Sequence, residues 1–299
     1  MKKLAVSLLA LFSLCVTATP MNAEPVLEKV SKTGVLKAGT RKDALPFAYM
    51  DQNGDWVGYS VDLIEQIRAQ LEKELGKPIK LQLVEVDVGN RIDKVVQGEV
   101  DLVCDTTTFT WEREKLVDFS FPYFLSGTQL LVKKGSKIAS AESLQDKRIG
   151  VIPNSTNDLK MKQVQLQANY VPVNNLTEGF AALESGKIDA LASDGILLQG
   201  LKQTAKDKDN WLVVPNEPYD RQPYACMVPQ ENSQYRDLVN YSLVKFMQGV
   251  LVGDKNSIAI LDRWFGPGGA MPRNQEAMLF HFLNLIDFTA PVPDYPQMK

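Results

Sequence analysis

Apolar and polar positions follow two different periods along the chain, and the changes between them set out its elements. Leu63, Ile64, Ile67 and Leu71 fall on one helical stripe and Asp62, Glu65 and Glu72 on the opposite one, which predicts a long amphipathic helix over 60–75. Ahead of it, Gly34-Val35-Leu36-Lys37-Ala38-Gly39-Thr40-Arg41 reads as a strand running into a polar loop. The same order recurs at Arg148-Ile149-Gly150-Val151-Ile152-Pro153-Asn154-Ser155-Thr156, which leads into a helix over 156–168. A second pair of similar segments lies downstream of each copy: 98–105 and 186–194 follow short amphipathic runs, 91–97 and 179–185, that end at glycine before a buried strand. Strand, polar loop and helix occurring twice predicts two α/β units of one design.

Between the units, 119–123 and 128–134 are extended and apolar, and 223–229 is their counterpart further along. These predict strands that carry the chain out to the second unit and back, and two crossings of extended residues are what a hinge requires. The stretch 235–265 has helical period and ends at Gly266-Pro267-Gly268-Gly269. That loop lacks the Gly-Lys-Ser/Thr ending of a phosphate loop and reads as a turn.

The first residues have another character. Lys2 and Lys3 precede an uncharged run from Leu4 to Ala18 and then small and turn-forming residues to Ala23. This is the pattern of a cleaved secretory signal peptide, because a bilayer span needs about 20 apolar residues and the run has about 15. A mature start at Glu24 and a periplasmic location follow. Composition agrees with a folded soluble chain: 299 residues, 44% hydrophobic and 23% charged. Losing Lys2 and Lys3 makes the mature protein two charges more acidic than the −3 of the full sequence, which argues against nucleic acid and anionic lipid as partners. With Cys15 gone, Cys104 and Cys226 remain in an oxidising compartment. One disulfide is expected, two buried free thiols being the alternative. His281 is the sole histidine and sits in an apolar run, so it is expected to be structural; histidine-clustered metal sites are excluded and no cofactor is implied.

In open α/β sheets, ligands lie beyond the carboxyl ends of the strands. The loops there supply Thr40-Arg41, Thr106-Thr107-Thr108, Ser155-Thr156 and Asp194, and Arg113 follows within Thr110-Trp111-Glu112-Arg113. An arginine fork matches a carboxylate, hydroxyls complete its lone pairs, and an aspartate accepts from an ammonium. A free amino acid needs that combination, although each residue alone has a plain alternative: Arg113 as a surface charge, Asp194 as a helix cap.

The ordered set Gly39-Thr40-Arg41, Pro46-Phe47-Ala48-Tyr49, Gly58-Tyr59-Ser60-Val61-Asp62-Leu63, Gly98-Glu99-Val100-Asp101, Trp111-Glu112-Arg113 and Val117-Asp118-Phe119-Ser120-Phe121-Pro122-Tyr123 resembles the polar amino-acid periplasmic binding proteins of ABC importers. The nearest likeness is to glutamate/aspartate-binding members, through Gly89-Asn90-Arg91-Ile92, Cys104, Tyr224-Ala225-Cys226-Met227 and Asp262-Arg263-Trp264-Phe265. The resemblance implies a two-lobed α/β, type II periplasmic-binding fold with a two-strand hinge: lobe 1 from 24–129 and 226–299, lobe 2 from 130–225. It implies a monomeric, non-enzymatic receptor that captures an L-amino acid, glutamate or aspartate first, and delivers it to an ABC permease. Carried over by position, Arg113 with Thr108 and Thr156 holds the α-carboxylate, Asp194 with Thr106 holds the α-ammonium, and Arg41 and Arg91 face a side-chain carboxylate.

Three positions depart from the acidic-ligand pattern. Val88 stands in place of a serine and Leu176 in place of a histidine, which removes polar contacts; Asp105 replaces a glycine and adds a negative charge. Other polar ligands such as glutamine, a cyclohexadienyl-dehydratase-like enzyme on the same fold, and a sensory role therefore stay open as alternatives.

Overall fold

The computed structural model describes residues 24–286, so the signal peptide expected at 1–23 lies outside the described residues. The first stretch comprises α1 (Val26–Thr33), β1 (Val35–Thr40), the short strands β2 (Asp43–Ala44), β3 (Ala48–Met50) and β4 (Trp56–Val57), then α2 (Tyr59–Leu75), β5 (Lys80–Glu85), α3 (Arg91–Val96), β6 (Leu102–Val103), α4 (Trp111–Glu114) and β7 (Asp118–Ser126). The second holds β8 (Thr128–Lys133), β9 (Arg148–Val151), α5 (Thr156–Val164), β10 (Asn169–Pro172), α6 (Leu176–Glu184), β11 (Ala190–Asp194), α7 (Gly195–Thr204) and β12 (Trp211–Val214). The third stretch holds β13 (Gln222–Val228), α8 (Ser233–Val252), α9 (Lys255–Phe265) and α10 (Gln275–Ile286).

The strands form two five-stranded sheets, ordered β5-β1-β6-β13-β7 and β10-β9-β11-β8-β12, beside a small sheet of β2, β3 and β4. The recurring segments occupy equivalent places. β1 pairs in parallel with β5 and β6, and β9 pairs in parallel with β10 and β11. Parallel neighbours need a covered crossover, and α2, α3, α5 and α6 supply it. The α2 stripe is buried as its period predicts, with Leu63, Ile64, Ile67 and Leu71 inaccessible to solvent. Gly58 starts this helix at φ +150°, where a Cβ would collide with the carbonyl of Phe47.

Sheet membership moves one expected boundary. The segment 222–225 was expected to belong to the second lobe, yet β13 pairs from Gln222 onward with β7 in the first sheet. The chain crosses at Gly127 and again between Val214 and Gln222, because the apolar faces on both sides of β13 fit the first lobe's core. At the first crossing a side chain on Gly127 would strike the carbonyl of Asp220 in the second crossing, so the two connectors run in close contact. The stretch 235–265 also divides into two helices rather than one. Gly253 ends α8 in the left-handed conformation, and Asp254 caps α9 by accepting from the backbone of Ser257.

Beneath the crossings lies an aromatic cluster in which Phe47 meets Phe124 at 4.8 Å and Tyr224 at 5.3 Å between ring centroids. His281 belongs to this packing: its ring lies 5.8 Å from Phe124, and burial lowers its pKa to about 4. It is therefore a neutral packing residue at physiological pH.

Cys104 and Cys226 form a disulfide across 122 positions of sequence, joining the end of β6 to β13. Closing so long a loop constrains the unfolded chain strongly. Replacing both cysteines by serine is expected to cost about 2 to 5 kcal/mol of stability, measured as a lower denaturant midpoint, with a steeper slope because the unfolded chain is no longer cross-linked.

Candidate ligand-binding site

β1, β6, β9 and β11 end on loops that bring the expected residues to the contact between the lobes. Thr40 ends β1 and Arg41 follows it, and Asp105 to Thr108 follow β6. Thr156 opens α5 after β9, and Asp194 ends β11 at the start of α7. Arg113 lies on the single turn of α4, whose N-terminus is capped by Thr110. All seven candidates occupy this region, and hydrogen bonds between the lobes cross it, two of them at candidate or neighbouring residues. The Thr156 hydroxyl lies 3.4 Å from that of Thr108, and the backbone N–H of Leu176 donates to Asp43 Oδ2 at 3.3 Å.

The charges fall into two groups. In the first, each arginine has a carboxylate. Arg41 donates from Nε to Asp43 Oδ1 at 2.9 Å, with Nη2 2.8 Å from the same oxygen, and from Nη1 to Thr106 Oγ1 at 3.2 Å. Arg91 Nη1 donates to Asp105 Oδ2 at 3.0 Å and to the carbonyl of Thr106. Both guanidiniums and Asp105 are almost wholly shielded from water. Burial lowers the pKa of Arg41, but Asp43 and Asp105 more than offset it and the net direction is upward. For Arg91, burial wins with help from the repulsion of Arg41, against the pull of Asp105, and the net direction is downward.

The second group is uncompensated. Arg113 is half-buried and donates from Nη1 to the carbonyl of Thr108 at 2.7 Å, with no ion-pair partner among the described residues. Its pKa falls to about 10, chiefly through burial and then through the repulsion of Arg91. Asp194 is the mirror case. It is 4% exposed, its Oδ1 has no hydrogen-bond partner, and burial raises its pKa to about 6 although Tyr224 and Asn157 pull it part of the way back. A half-buried cation and a buried anion, each short of a partner, are charges that the two ends of a zwitterion can match.

Reading the sequence missed three contributors. Asp43 follows Arg41 by two residues, a spacing that carries no signal without the turn between β1 and β2. Tyr224 is fully buried beside Asp194. Gln222 accepts from the Thr108 hydroxyl and donates to Asp220, so it orients Thr108 from the returning strand. Chemistry rather than concavity marks the place. Surface hollows of about 760 Å³ between α2 and α8–α9, and about 990 Å³ beside the crossings and α10, lie elsewhere and carry no such pair of charges among the described residues.

Comparison with known proteins gives the same picture. The Escherichia coli (strain K12) glutamate/aspartate import solute-binding protein is 31% identical over 254 residues, covering 82% of this chain and 84% of its own. The Geobacillus stearothermophilus glutamine-binding protein is 35% identical over 212 residues, covering 70% and 78%. Among solved structures, an ancestral arginine-binding protein bound to glutamine superposes with a TM-score of 0.68 at 31% identity, over 78% of this chain and 98% of that one. These establish the two-lobed α/β fold, and among the described residues no helix is long and apolar enough to cross a membrane. Residues 36–267 match the model of one family, and the chain belongs to it: the bacterial extracellular solute-binding proteins, family 3.

Proposed function

We propose that the chain captures an L-α-amino acid between its lobes in the periplasm and presents it to an ABC permease. The observation that carries this is the pair of charges without an ion-pair partner in the cleft, half-buried Arg113 and buried Asp194. Arg113 on lobe 1 takes the α-carboxylate, with hydroxyls from Thr108 and Thr156. Asp194 on lobe 2 takes the α-ammonium, with Thr106 beside it. A ligand held from both sides binds the closed arrangement better than an open one and shifts the population toward it.

The relatives support an amino acid without fixing its side chain, since one is named for glutamate and aspartate and another for glutamine at comparable identity. Both are named as binding or import proteins, which favours a receptor over a dehydratase. The preference for glutamate or aspartate rested on Arg41 and Arg91 being free to meet a side-chain carboxylate. Both already bond to an aspartate of the chain, which weakens that preference.

Arg113→Ala is expected to weaken amino-acid binding by about 2 to 5 kcal/mol in isothermal titration, because the ligand carboxylate loses its charged partner in a dry site. Unchanged affinity in this variant would remove the assignment.

Binding is also expected to depend on pH through Asp194. Its carboxylate must be ionised to hold an ammonium, and its pKa of about 6 lies above the ordinary value. Affinity is therefore full above about pH 7 and falls as pH drops through 6. By pH 5 the dissociation constant rises about tenfold, an effect that Asp194→Asn should abolish along with most of the affinity.

A further inference from the structure

Two aspartates in the cleft have no task in holding the α-groups of a ligand. Asp43 Oδ1 bonds Arg41, while its Oδ2 accepts the N–H of Leu176, the first residue of α6. One carboxylate of lobe 1 thus joins a lobe 1 guanidinium to a lobe 2 helix N-terminus, where the orphan N–H groups and the helix dipole favour an anion. Asp105, fully buried, bonds Arg91 through Oδ2 and accepts from the Thr106 hydroxyl through Oδ1. Its position is fixed from below as well, because the Tyr123 hydroxyl donates to its backbone carbonyl at 2.6 Å.

Resting on the reading that Arg113 and Asp194 hold the α-groups, we propose that Asp43 and Asp105 are resident counter-ions that take the place of an acidic side chain, and so restrict the ligand to an L-α-amino acid whose side chain carries no net charge. At that end of the site two guanidiniums meet two carboxylates, and the balance is complete before a ligand arrives. A glutamate or aspartate side chain would bring a third carboxylate toward two that already hold the arginines, with no cation left to match it. A lysine or arginine side chain would meet the guanidiniums of Arg41 and Arg91. An uncharged side chain disturbs neither pair. Leu176, 1% exposed and bonded through its N–H to Asp43, adds apolar surface beside the Arg41–Asp43 pair. Arg91 Nε and Thr40 Oγ1, both buried without a hydrogen-bond partner, remain to bond an amide or hydroxyl.

The test is isothermal titration of the mature protein with the common L-amino acids, including the isosteric pairs glutamine/glutamate and asparagine/aspartate. The tightest ligand is expected to have an uncharged side chain, with each acid at least about tenfold weaker than its amide. Asp43→Asn and Asp105→Asn, each checked for folding by its thermal transition, free one guanidinium apiece. Each should move the glutamate-to-glutamine affinity ratio toward glutamate by about tenfold or more. A tightest ligand with a charged side chain overturns the proposal, and the wild-type titration decides this even if a variant fails to fold. A ratio that stays put in the folded variants overturns it too. Arg113→Ala separates the two levels. If that variant loses every amino acid while the ratio is unmoved by the aspartate variants, the charge-matching proposal alone fails; if it retains them, the reading of the whole site fails.

Discussion

Guanidinium groups crowded into one cleft repel one another, and each loses water's solvation on burial. The site of this protein is organised around that constraint. Arg41, Arg91 and Arg113 influence one another closely enough that Arg91 depresses the proton affinity of Arg113 and is itself depressed by Arg41. Breaking a buried ion pair on one side commonly costs about 3 to 5 kcal/mol, far more than any exposed pair on this surface contributes. Hence Asp105 and Asp43 are as necessary to the fold of the cleft as the arginines. Arg113 is the exception, left with a carbonyl and no carboxylate, and such local deficits are where proteins keep their function.

The same constraint shapes the contact between lobes. The polar contacts between the lobes include Thr108 to Thr156, Asp43 to Leu176, Ser126 to Ile196 and Tyr224 to Asp194, together with the tight approach of Gly200 to Leu45. The Asp194 carboxylate remains one hydrogen bond short. On the proposed reading, closure without a ligand carries an electrostatic penalty that a zwitterion removes. Ligand affinity and closure become one free energy in this arrangement, and the two connectors at Gly127 and 215–221 have only to permit the movement.

Much of this was legible in the sequence because the signals were local. The stripe in α2, the repeated strand-and-loop pattern and the even count of mature cysteines each specify an element or a bond, and each appears where expected. Arg41, Thr106, Thr108, Thr156 and Asp194 converge because a strand's carboxyl end is a fixed place in an α/β sheet, whereas Arg91 and Arg113 reach the cleft from α3 and α4. What could not be read depends on contacts distant along the chain. Asp43 meets Leu176 across 133 residues, and Gln222 meets Thr108 across 114. Asp105 was noticed as an added charge, but its partner could not be. Whether a charge faces a ligand or a neighbour is decided by side-chain reach within 3 Å. The division of α8 from α9 went unread because Gly253 interrupts the helical period for only two residues.

Why the counter-ions can replace part of a ligand follows from where they are anchored. Asp105 lies next to Cys104, whose disulfide ties the end of β6 to β13, the strand that also carries Gln222 and Tyr224. The Thr108 backbone bridges to Tyr224, and the Ala225 N–H donates to the carbonyl of Thr107. The loop 105–108 is therefore held at both ends by the returning strand, and a carboxylate fixed on it costs little further ordering entropy when its arginine is in place. A ligand side chain would have to give up its own rotamer freedom for the same bond. A resident carboxylate on a rigid floor is thus the stronger competitor for Arg91. That rigidity gives Asp105, a single substituted position, control over what the cleft will accept.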